Sequence, residues 1–314
     1  MQEVFVWSLI GLLSIILIVK SASYAIESII RYARKTGLSY YFVGLLIVSI
    51  GTSLPEIFTA VISALQGASQ LVIGDAMGAT IVDIGLVLSL VGLVGGKVVF
   101  KKKEANLSAV KILAVVAAPL ILAIDGTLSR LDGILMIVLY IFYYAINIFK
   151  EITQQKVAKK VPLTFALHET LVFGINIALL LFGTQVLVKS ATTLSSILGI
   201  PEYLFGALFL SICTTSPEFM VELKALWSKS APIALGDIFG SVVTNTSLVL
   251  GIACVISPVM IATQFFVVGF FMVGLVALGL LFLRAERITR TQGLVLFLGY
   301  VIFALTQLFA LTQH

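Results

Sequence analysis

The feature that most constrains this chain is an internal repeat that carries acidic residues inside apolar segments of membrane length. The stretch from Gly37 to Leu88 aligns with the stretch from Gly199 to Leu250 at a constant offset of 162 residues and without a gap. Both copies contain a Pro-Glu pair followed by a Gly-Asp pair. A carboxylate at bilayer depth costs roughly 2.5–3.5 kcal/mol on insertion scales, so acids repeated in this way indicate a functional site.

The composition excludes an ordinary soluble domain. Hydrophobic residues make up 60% of the chain, charged residues 11%, and the mean hydropathy is +1.15. A spanning helix needs about 20 apolar residues. The predicted fold is therefore all-α, a polytopic membrane protein with ten transmembrane helices near residues 4–24, 40–65, 71–96, 107–124, 132–149, 167–189, 202–226, 233–256, 263–284 and 291–311.

The net charge of +5 is distributed in a way that predicts membrane orientation. Lysine and arginine collect after the odd-numbered segments, for example at Lys101–Lys103 and Arg287, whereas the opposite side holds only Arg130 and Lys189. The positive-inside rule then predicts that both termini are extracytoplasmic. Anionic membrane lipid is the one partner that this charge suggests, and nucleic acid is not required to explain it.

Each half of the chain contains five predicted spans, which is an odd number. The second copy must therefore enter the membrane in the opposite orientation to the first, as in the inverted repeats of many secondary transporters. We predict a first repeat at 1–150 with its motif at 44–85, a cytoplasmic linker at 151–165, and a second repeat at 166–314 with its motif at 206–247. In such transporters the substrate site lies near the midplane, between the repeats.

Prolines predict a break in one helix of each half. Pro55 and Pro217 lie inside the second and seventh segments, where proline removes a backbone donor and clashes with the preceding turn. We expect carbonyls around Ser49–Thr52 and Ser211–Thr214 to lose their helical partners. Exposed backbone at that depth must be buried in protein or line a cavity. Carbonyls and hydroxyls beside a carboxylate would form an oxygen-rich cage.

Polar side chains on the third and eighth segments should face these breaks. Residues four and eight positions apart share one face of a helix, and two such series occur, Asp75/Ala79/Asp83 and Asp237/Ser241/Asn245. The pattern predicts a central cluster of Glu56, Glu218 and Asp83, surrounded by Thr52, Ser53, Thr214, Thr215, Ser241 and Asn245. Hard cations such as Ca²⁺ prefer six to eight oxygen ligands of this kind. The histidines and cysteines are instead expected at span ends and in packing positions.

Three acids leave alternatives open. Asp75 and Asp237 could be cation ligands, could sit nearer a cavity mouth, or could bond to backbone freed by the broken helices. Glu222 lies one turn beyond Glu218, but its repeat counterpart is Ala60, and we expect it to form a structural ion pair with Lys224. The phenylalanines and tyrosines are interpreted as packing or lipid-facing residues.

At these residues the chain resembles the cation/Ca²⁺ exchanger superfamily, and especially the short prokaryotic Na⁺/Ca²⁺ exchangers. The segment Gly51-Thr52-Ser53-Leu54-Pro55-Glu56 fits the family signature, and the likeness covers essentially the whole chain. The resemblance implies an antiporter of a prokaryotic cell membrane that exchanges Ca²⁺ for Na⁺ by alternating access and uses no cofactor. In that family the two glutamates hold Ca²⁺ together with backbone and threonine oxygens.

The resemblance also implies which residues bind Na⁺ and which helices move during transport. Flanking hydroxyls, Asn and Asp complete the Na⁺ sites in the family, and the matching positions here are Ser49, Thr52, Ser53, Glu56, Ala79 and Asp83, then Ser211, Thr214, Thr215, Glu218, Ser241 and Asn245. The family slides its first and sixth spans across a rigid core, which implies that segments 4–24 and 167–189 move.

Departures from the family pattern keep other functions open. Cys213-Thr214-Thr215-Ser216 replaces the usual Gly-Thr-Ser-Leu, and Ala79 stands where a hydroxyl is expected. Asp and Asn are exchanged between repeats, and both usual Gly-Asn pairs are Gly-Asp here. These changes favour H⁺ as a possible counter-ion, so a Ca²⁺/H⁺ antiporter is the first alternative.

Two other classes fit the residues less well. A cation channel could also use acidic side chains, but paired helix breaks favour a carrier. An intramembrane hydrolase would need a base to activate a serine or threonine, and none is suitably placed in the sequence. We therefore expect no enzymatic activity.

Overall fold

The computed structural model describes residues 2–37, 39–65, 67, 69–95, 98–99, 109–154, 161–198, 206–228, 230–284 and 287–311. The first half contains α1 Gln2–Thr36, α2 Tyr40–Val43, α3 Ser49–Thr52, α4 Leu54–Leu65, α5 Ser69–Val82, α6 Ser89–Gly95, α7 Ala109–Leu122 and α8 Arg130–Gln154. The second half contains α9 Leu163–Leu198, α10 Ser211–Thr214, α11 Ser216–Trp227, α12 Ala231–Val243, α13 Leu250–Ile256, α14 Thr263–Leu283 and α15 Arg290–Leu311.

Short segments of other geometry connect these helices. Wide π-helical turns cover Gly44–Val48, Asp83–Leu88, Gly206–Leu210 and Thr244–Val249, and one 3₁₀ turn covers Ala123–Asp125. The strands are β1 Val98–Val99, β2 Thr127–Leu128, β3 Val259–Met260 and β4 Arg287–Ile288. Each strand pairs antiparallel with one from the other half, β1 with β4 and β2 with β3. The π-helical turns occupy equivalent places in both halves, and the sequence did not predict them.

Seven helices in the described part of the chain are long and apolar enough to cross a membrane. They include the first, third, fifth, sixth, eighth, ninth and tenth predicted spans. The remaining predicted spans, 40–65, 107–124 and 202–226, contain shorter helical pieces, of which the 14 residues of Ala109–Leu122 are the longest. The protein is a helical membrane protein, and ten spans remain a prediction.

The predicted helix breaks are confirmed at their location. The helix ends at Thr52 and resumes at Leu54, and the second copy ends at Thr214 and resumes at Ser216. The prediction about free carbonyls is wrong for Ser49, whose oxygen accepts the Ser53 amide at 3.0 Å. It is also wrong for Ser211, whose oxygen accepts the Thr215 amide at 3.0 Å. The reason is that a proline removes only the donor that would reach the carbonyl four residues earlier.

The centre of the protein is formed by the third and eighth predicted spans. In the segments 69–94 and 231–256, 78% and 83% of the most apolar window is buried, whereas the corresponding figures are 24% for 4–36 and 17% for 163–183. A helix that is buried on all sides must satisfy any polar side chain within the protein. Polar groups on these two central helices are therefore positioned by neighbouring helices and not by water or lipid.

The two outer helices α1 and α9 are longer than expected, at 35 and 36 residues. They pack on each other along much of their length. Arg31 donates to both carboxylate oxygens of Glu169 at 2.9–3.2 Å, and the Lys35 ammonium lies 3.8 Å from the centre of the Phe165 ring. The predicted spans 4–24 and 167–189 ended too early because hydropathy falls at charged residues, whereas paired charges allow the helices to continue.

The polar loops predicted on the basic side lie mostly outside the described residues. This applies to residues 155–160 of the linker and to the lysine-rich stretch 100–108. The flanking elements are described: α8 continues to Gln154, α9 begins at Leu163, and Val98–Val99 pairs with Arg287–Ile288.

The halves dock through very close backbone contacts at glycine. The Gly206 α-carbon faces the other half, where an added Cβ atom would lie 2.6 Å from the Leu71 carbonyl oxygen and 3.0 Å from the Asp75 amide nitrogen. Gly44, its repeat counterpart, would meet the carbonyl oxygen of Ile233 in the same way. Small residues let membrane helices approach this closely. Each broken helix is thereby pressed against the central helix of the opposite half.

We predict that Gly206→Ala destabilises the protein. The new methyl group would meet backbone atoms that cannot rotate away, and overpacking of this kind typically costs about 1–3 kcal/mol. The matched control is Gly174→Ala on α9, where an added Cβ has no atom within 4 Å. Thermal unfolding of purified protein in detergent should show a lower melting temperature only for Gly206→Ala. Equal melting temperatures for the two variants would contradict the close docking.

Candidate functional site

The predicted site residues are all buried in the middle of the protein. The set includes every side chain that the sequence proposed as a ligand, and none is more than 1% exposed: Ser49, Thr52, Ser53, Glu56, Asp75, Asp83, Ser211, Thr214, Thr215, Glu218, Asp237, Ser241 and Asn245. Buried polar groups are normally hydrogen-bonded, and buried charges are paired or bind cations. The partners of these side chains therefore indicate which of them are structural and which are available to a ligand.

Two equivalent hydrogen bonds connect the halves. The Thr52 hydroxyl lies 3.2 Å from Asp237 Oδ1, and the Thr214 hydroxyl lies 3.0 Å from Asp75 Oδ1. Both threonines belong to the broken helices, and both aspartates belong to the central helix of the other half. The sequence alternatives for these aspartates did not include a threonine hydroxyl. The second oxygen of each, Oδ2, is buried without a hydrogen-bond partner among the described residues.

Ser53 joins the break in the first half to two groups of the second. Its hydroxyl lies 3.3 Å from the Ser241 hydroxyl and 3.5 Å from Glu218 Oε1. The corresponding residue, Thr215, has no partner for its hydroxyl in the described structure. The broken helices therefore present one engaged and one unengaged hydroxyl at equivalent positions.

Glu56 and Asp83 are the least satisfied of the predicted ligands. No side chain in the described residues donates to either carboxylate. Glu56 is close enough to Glu218, Asp75 and Asp83 to be repelled electrostatically by each of them. An ionised carboxylate in such a place costs several kcal/mol unless a cation compensates it. These groups are suited to bind cations.

The predicted cluster of Glu56, Glu218 and Asp83 includes hydroxyl and amide oxygens as well as carboxylates, and it stays a prediction. Among the described residues, no group of three or more His, Cys, Asp or Glu side chains is arranged to hold a metal ion. The acids of the site are within electrostatic range of one another but do not form a carboxylate-only cage. A cation at Glu56 and Glu218 would need hydroxyl and carbonyl oxygens to complete its shell, which hard cations accept.

Two further predicted ligands have local or no partners. The Ser211 hydroxyl donates to the Ala207 carbonyl of its own helix at 2.8 Å. Asn245 Oδ1 is buried without a partner within the described chain. The structure therefore brings Thr52, Ser53, Thr214 and Glu218 into polar contact with the opposite half. Ser211 packs closely beside Gly78 of the first half without a hydrogen bond to it.

A tyrosine beside the site was missed by the sequence. The Tyr144 hydroxyl lies 3.2 Å from the Ser49 hydroxyl, 3.4 Å from the Gly240 carbonyl and 3.5 Å from the Thr244 hydroxyl. It is buried and packs on Tyr140 and Tyr143, so the packing interpretation is confirmed and the lipid-facing one is wrong, but its hydroxyl also bonds to a predicted ligand. The available signal was the spacing of Tyr140, Tyr143 and Tyr144, which places hydroxyl groups on one helical face.

The expected ion pair between Glu222 and Lys224 is wrong. Lys224 Nζ lies 2.8 Å from Glu27 Oε1 on α1. Glu222 is fully buried, and neither of its oxygens has a hydrogen-bond partner among the described residues. Successive helical positions turn by 100°, so side chains two residues apart on α11 point in different directions and do not pair. The partner of Lys224 comes from another helix, α1.

The softer metal ligands lie elsewhere. His168 is exposed at the start of α9, 3.6 Å from Glu169, while His314 lies outside the described residues. Cys254 is buried and free, as expected for a packing residue, and the Cys213 side chain is outside the described part.

The geometry defines a class of protein. Acids and hydroxyls from two docked halves are enclosed within a helical membrane bundle, an arrangement that marks substrate and ion pathways in membrane proteins. The sequence profile of the family described as "Sodium/calcium exchanger protein" matches residues 6–149 and 168–309. The chain belongs to this sodium/calcium exchanger family, and it is an integral membrane protein of a prokaryotic cell membrane.

Individual relatives agree over nearly the whole length. The sodium/calcium exchanger MaX1 of Methanosarcina acetivorans is 26% identical over 341 residues, covering 94% of this chain and 96% of the relative. An uncharacterized membrane protein of Methanocaldococcus jannaschii is 28% identical over 300 residues, covering 95% and 96%. A solved structure of the sodium-calcium exchanger NCX_Mj, soaked with Na⁺ and Sr²⁺, is similar with a TM-score of 0.81 and 26% identity, covering 95% of this chain and 97% of that one.

We predict that Thr214→Val weakens the docking of the halves. Valine keeps the shape but removes the donor to Asp75, and leaving a buried acceptor unsatisfied costs about 1–3 kcal/mol. Thr80→Val is the matched control, because Thr80 is equally buried but bonds only to the Ala76 carbonyl of its own helix at 3.0 Å. Thermal or denaturant unfolding in detergent should show the larger loss for Thr214→Val, and a larger loss for Thr80→Val would contradict the assignment.

Proposed function

We propose that this protein exchanges Ca²⁺ for Na⁺ across the membrane by alternating access. The observation that carries the proposal is the pair Glu56 and Glu218, fully buried at equivalent positions of the two halves and within electrostatic range of each other. Each follows a helix break by three residues or fewer, so hydroxyl and carbonyl oxygens are nearby. A buried carboxylate pair needs compensating cations, and either one divalent or several monovalent ions can supply the charge.

The ligands divide between the two ions. We propose that Glu56 and Glu218 hold Ca²⁺ with oxygens of Thr52 and Thr214. Na⁺ binds the same two glutamates together with the remaining groups of the central region, namely Ser49, Ser53, Asp83, Ser211, Thr215, Ser241 and Asn245. Oxygen ligands of this kind suit both hard cations. Occupancy is mutually exclusive because the two ions share the same carboxylates.

Asp75 and Asp237 have a different role in this proposal. One oxygen of each accepts a hydrogen bond from a threonine of the opposite half. They orient Thr52 and Thr214 toward the ion, and their negative charge adds to the field of the site. A direct ligand role is left to their second oxygens, which have no partner in the described structure.

For the membrane topology we propose ten spans in two inverted five-helix repeats, 1–150 and 166–314, with both termini extracytoplasmic. The odd number of spans in each half requires opposite insertion, and the distribution of lysine and arginine favours this orientation. The matching order of helices, π-helical turns and strands supports the duplication. In this arrangement α1 and α9 are the moving pair, since they pack mainly on each other at the outside of the bundle.

A Ca²⁺/H⁺ antiporter is the second candidate. Ala79 provides no hydroxyl, whereas its counterpart Ser241 contacts Ser53 at 3.3 Å. One potential Na⁺ ligand is therefore missing from the first half. Asp75 and Asp237 add two acids that could accept protons instead.

Measurement of ⁴⁵Ca²⁺ uptake by purified protein in lipid vesicles distinguishes the Ca²⁺/Na⁺ exchanger from the Ca²⁺/H⁺ antiporter. We expect ⁴⁵Ca²⁺ uptake when Na⁺ is high inside and low outside, with saturation at high Ca²⁺ and dependence on membrane voltage. Empty vesicles give the background. Uptake driven equally well by a pH gradient without Na⁺ would establish H⁺ as the counter-ion, and uptake that does not saturate or need a counter-ion would identify a channel.

We predict that Glu56→Gln and Glu218→Gln each abolish Ca²⁺ transport while the protein still folds. Glutamine preserves size but removes one of the two charges proposed to hold Ca²⁺. Loss of a partner that only supports a metal ligand typically costs about 10–100-fold in metal affinity, so loss of a ligand itself should lower the flux to below about one-hundredth of wild type. The control is Asp125→Asn, an exposed acid whose oxygen accepts from Thr127. Gel filtration and thermal unfolding should report normal folding, and wild-type flux from either glutamine variant would refute the assignment.

A further inference from the structure

Glu222 is a buried acid that the repeat symmetry does not explain. Its counterpart 162 residues earlier is Ala60, which is also fully buried. The second half therefore carries a carboxylate for which the first half has only a methyl group. The repeat therefore does not account for Glu222, and any role of this carboxylate belongs to the second half alone.

No group in the described structure neutralises this carboxylate. Neither oxygen has a hydrogen-bond partner, and the side chain is fully buried. The charged groups on neighbouring elements are already engaged, with Lys224 bonded to Glu27 at 2.8 Å and Arg31 to Glu169 at 2.9 Å. Burying an ionised carboxylate without a partner costs several kcal/mol, so the position favours a neutral state, which a bound Na⁺ or H⁺ can supply.

The surroundings of Glu222 are acidic. Electrostatic repulsion acts on it from Asp237, Asp83 and Glu218, in decreasing order. These three acids lie on α12, on the π-helical turn that follows α5, and on α11 itself. Each residue of a helix rises 1.5 Å, so Glu222 lies about 6 Å farther along α11 than Glu218, toward the end that carries Lys224 and the exposed Trp227. A cation leaving Glu218 in that direction would encounter Glu222 next.

The arrangement favours a monovalent cation over a divalent one. Glu218 has the Ser53 hydroxyl beside it, whereas no hydroxyl or amide of the described residues lies within hydrogen-bond distance of Glu222. One oxygen of the neighbouring Asp237 is already bonded to Thr52. A single carboxylate can be neutralised by one Na⁺ or one H⁺, whereas Ca²⁺ takes six to eight ligands.

We infer that Glu222 binds one monovalent counter-cation of the exchange, Na⁺ or H⁺, at a position between the central site and one membrane surface. This inference rests on the proposed exchange function. It adds one cation to those held at the central glutamates and makes the carrier asymmetric, since only the second half has the group.

The test compares wild-type protein with Glu222→Gln in vesicles, with Glu27→Gln as the control for loss of a nearby acid. Two fluxes are measured: ⁴⁵Ca²⁺ exchange against unlabelled Ca²⁺, which uses no counter-ion, and Ca²⁺ uptake against rising internal Na⁺ or H⁺. We expect Glu222→Gln to keep Ca²⁺/Ca²⁺ exchange within about twofold of wild type, as one counter-cation fewer leaves the divalent ligands in place. The Hill coefficient for the counter-ion should fall by about one. A fall in the Na⁺ series identifies the cation as Na⁺, and a fall in the H⁺ series identifies it as H⁺.

Each other outcome has a defined meaning. Unchanged counter-ion dependence overturns the inference, and so does loss of Ca²⁺/Ca²⁺ exchange in a folded variant, which would make Glu222 part of the divalent site. If wild-type protein performs neither flux, the proposed function itself fails. An equal effect of Glu27→Gln and Glu222→Gln would mean that loss of any nearby negative charge changes the counter-ion dependence. That outcome would also overturn the inference.

A second measurement uses only wild-type protein, so it does not depend on whether a variant folds. Carbodiimides react with protonated carboxylic acids in apolar surroundings, and mass spectrometry can locate the product on wild-type protein. We expect labelling of Glu222 at low Na⁺ and low pH, with at least severalfold slower labelling when Na⁺ or alkaline pH is imposed. Labelling that is the same under all conditions, including none, would overturn the inference.

Discussion

The interaction on which the rest of the structure depends is the docking of each broken helix against the central helix of the opposite half. Glycine allows the two backbones to approach so closely that the Gly206 position has no room for a methyl group. The same docking brings Thr52 to Asp237 and Thr214 to Asp75. Because the partners come from different halves, neither half alone can satisfy these buried polar groups. Separation of the halves would leave acceptors unpaired at about 1–3 kcal/mol each, so the site and the interface form together.

Some departures from symmetry lie at this interface. Tyr144 on α8 contacts Ser49 and Thr244, whereas Ala304 occupies its place on α15 when Arg130 and Gly133 of α8 are aligned with Arg290 and Gly293 of α15. Ser241 contacts Ser53, while its counterpart is Ala79. A duplicated scaffold thus holds two unequal sets of oxygen atoms. Ions that need different numbers of ligands can use different subsets of these oxygen atoms. Two identical half-sites would not offer such a choice.

Local patterns predicted the parts of the site that belong to single helices. The 162-residue offset, the prolines and the four-residue spacing of polar side chains were sufficient to identify the broken helices and the buried set from Ser49 to Asn245. They could not predict contacts between helices, because periodicity carries no information about the register of one helix against another. The threonine partners of Asp75 and Asp237 and the pairing of Lys224 with Glu27 depend on that register, as does the hydroxyl of Tyr144. Hydropathy also failed at the ends of α1 and α9, where charged residues are paired.

The charged contacts of the outer helices differ in strength, and the difference bears on movement. Glu169 is almost fully buried and receives both nitrogens of Arg31, so this pair holds α1 to α9 firmly. Lys224 and Glu27, which connect α1 to α11 through a single contact, are both partly exposed, and ion pairs of this kind contribute about 0–1 kcal/mol. A shift of the outer pair relative to α11 would therefore break a weak contact and preserve a strong one. Since α11 carries both Glu218 and Glu222, such a shift would change the surroundings of these two acids while leaving the α1–α9 contact intact.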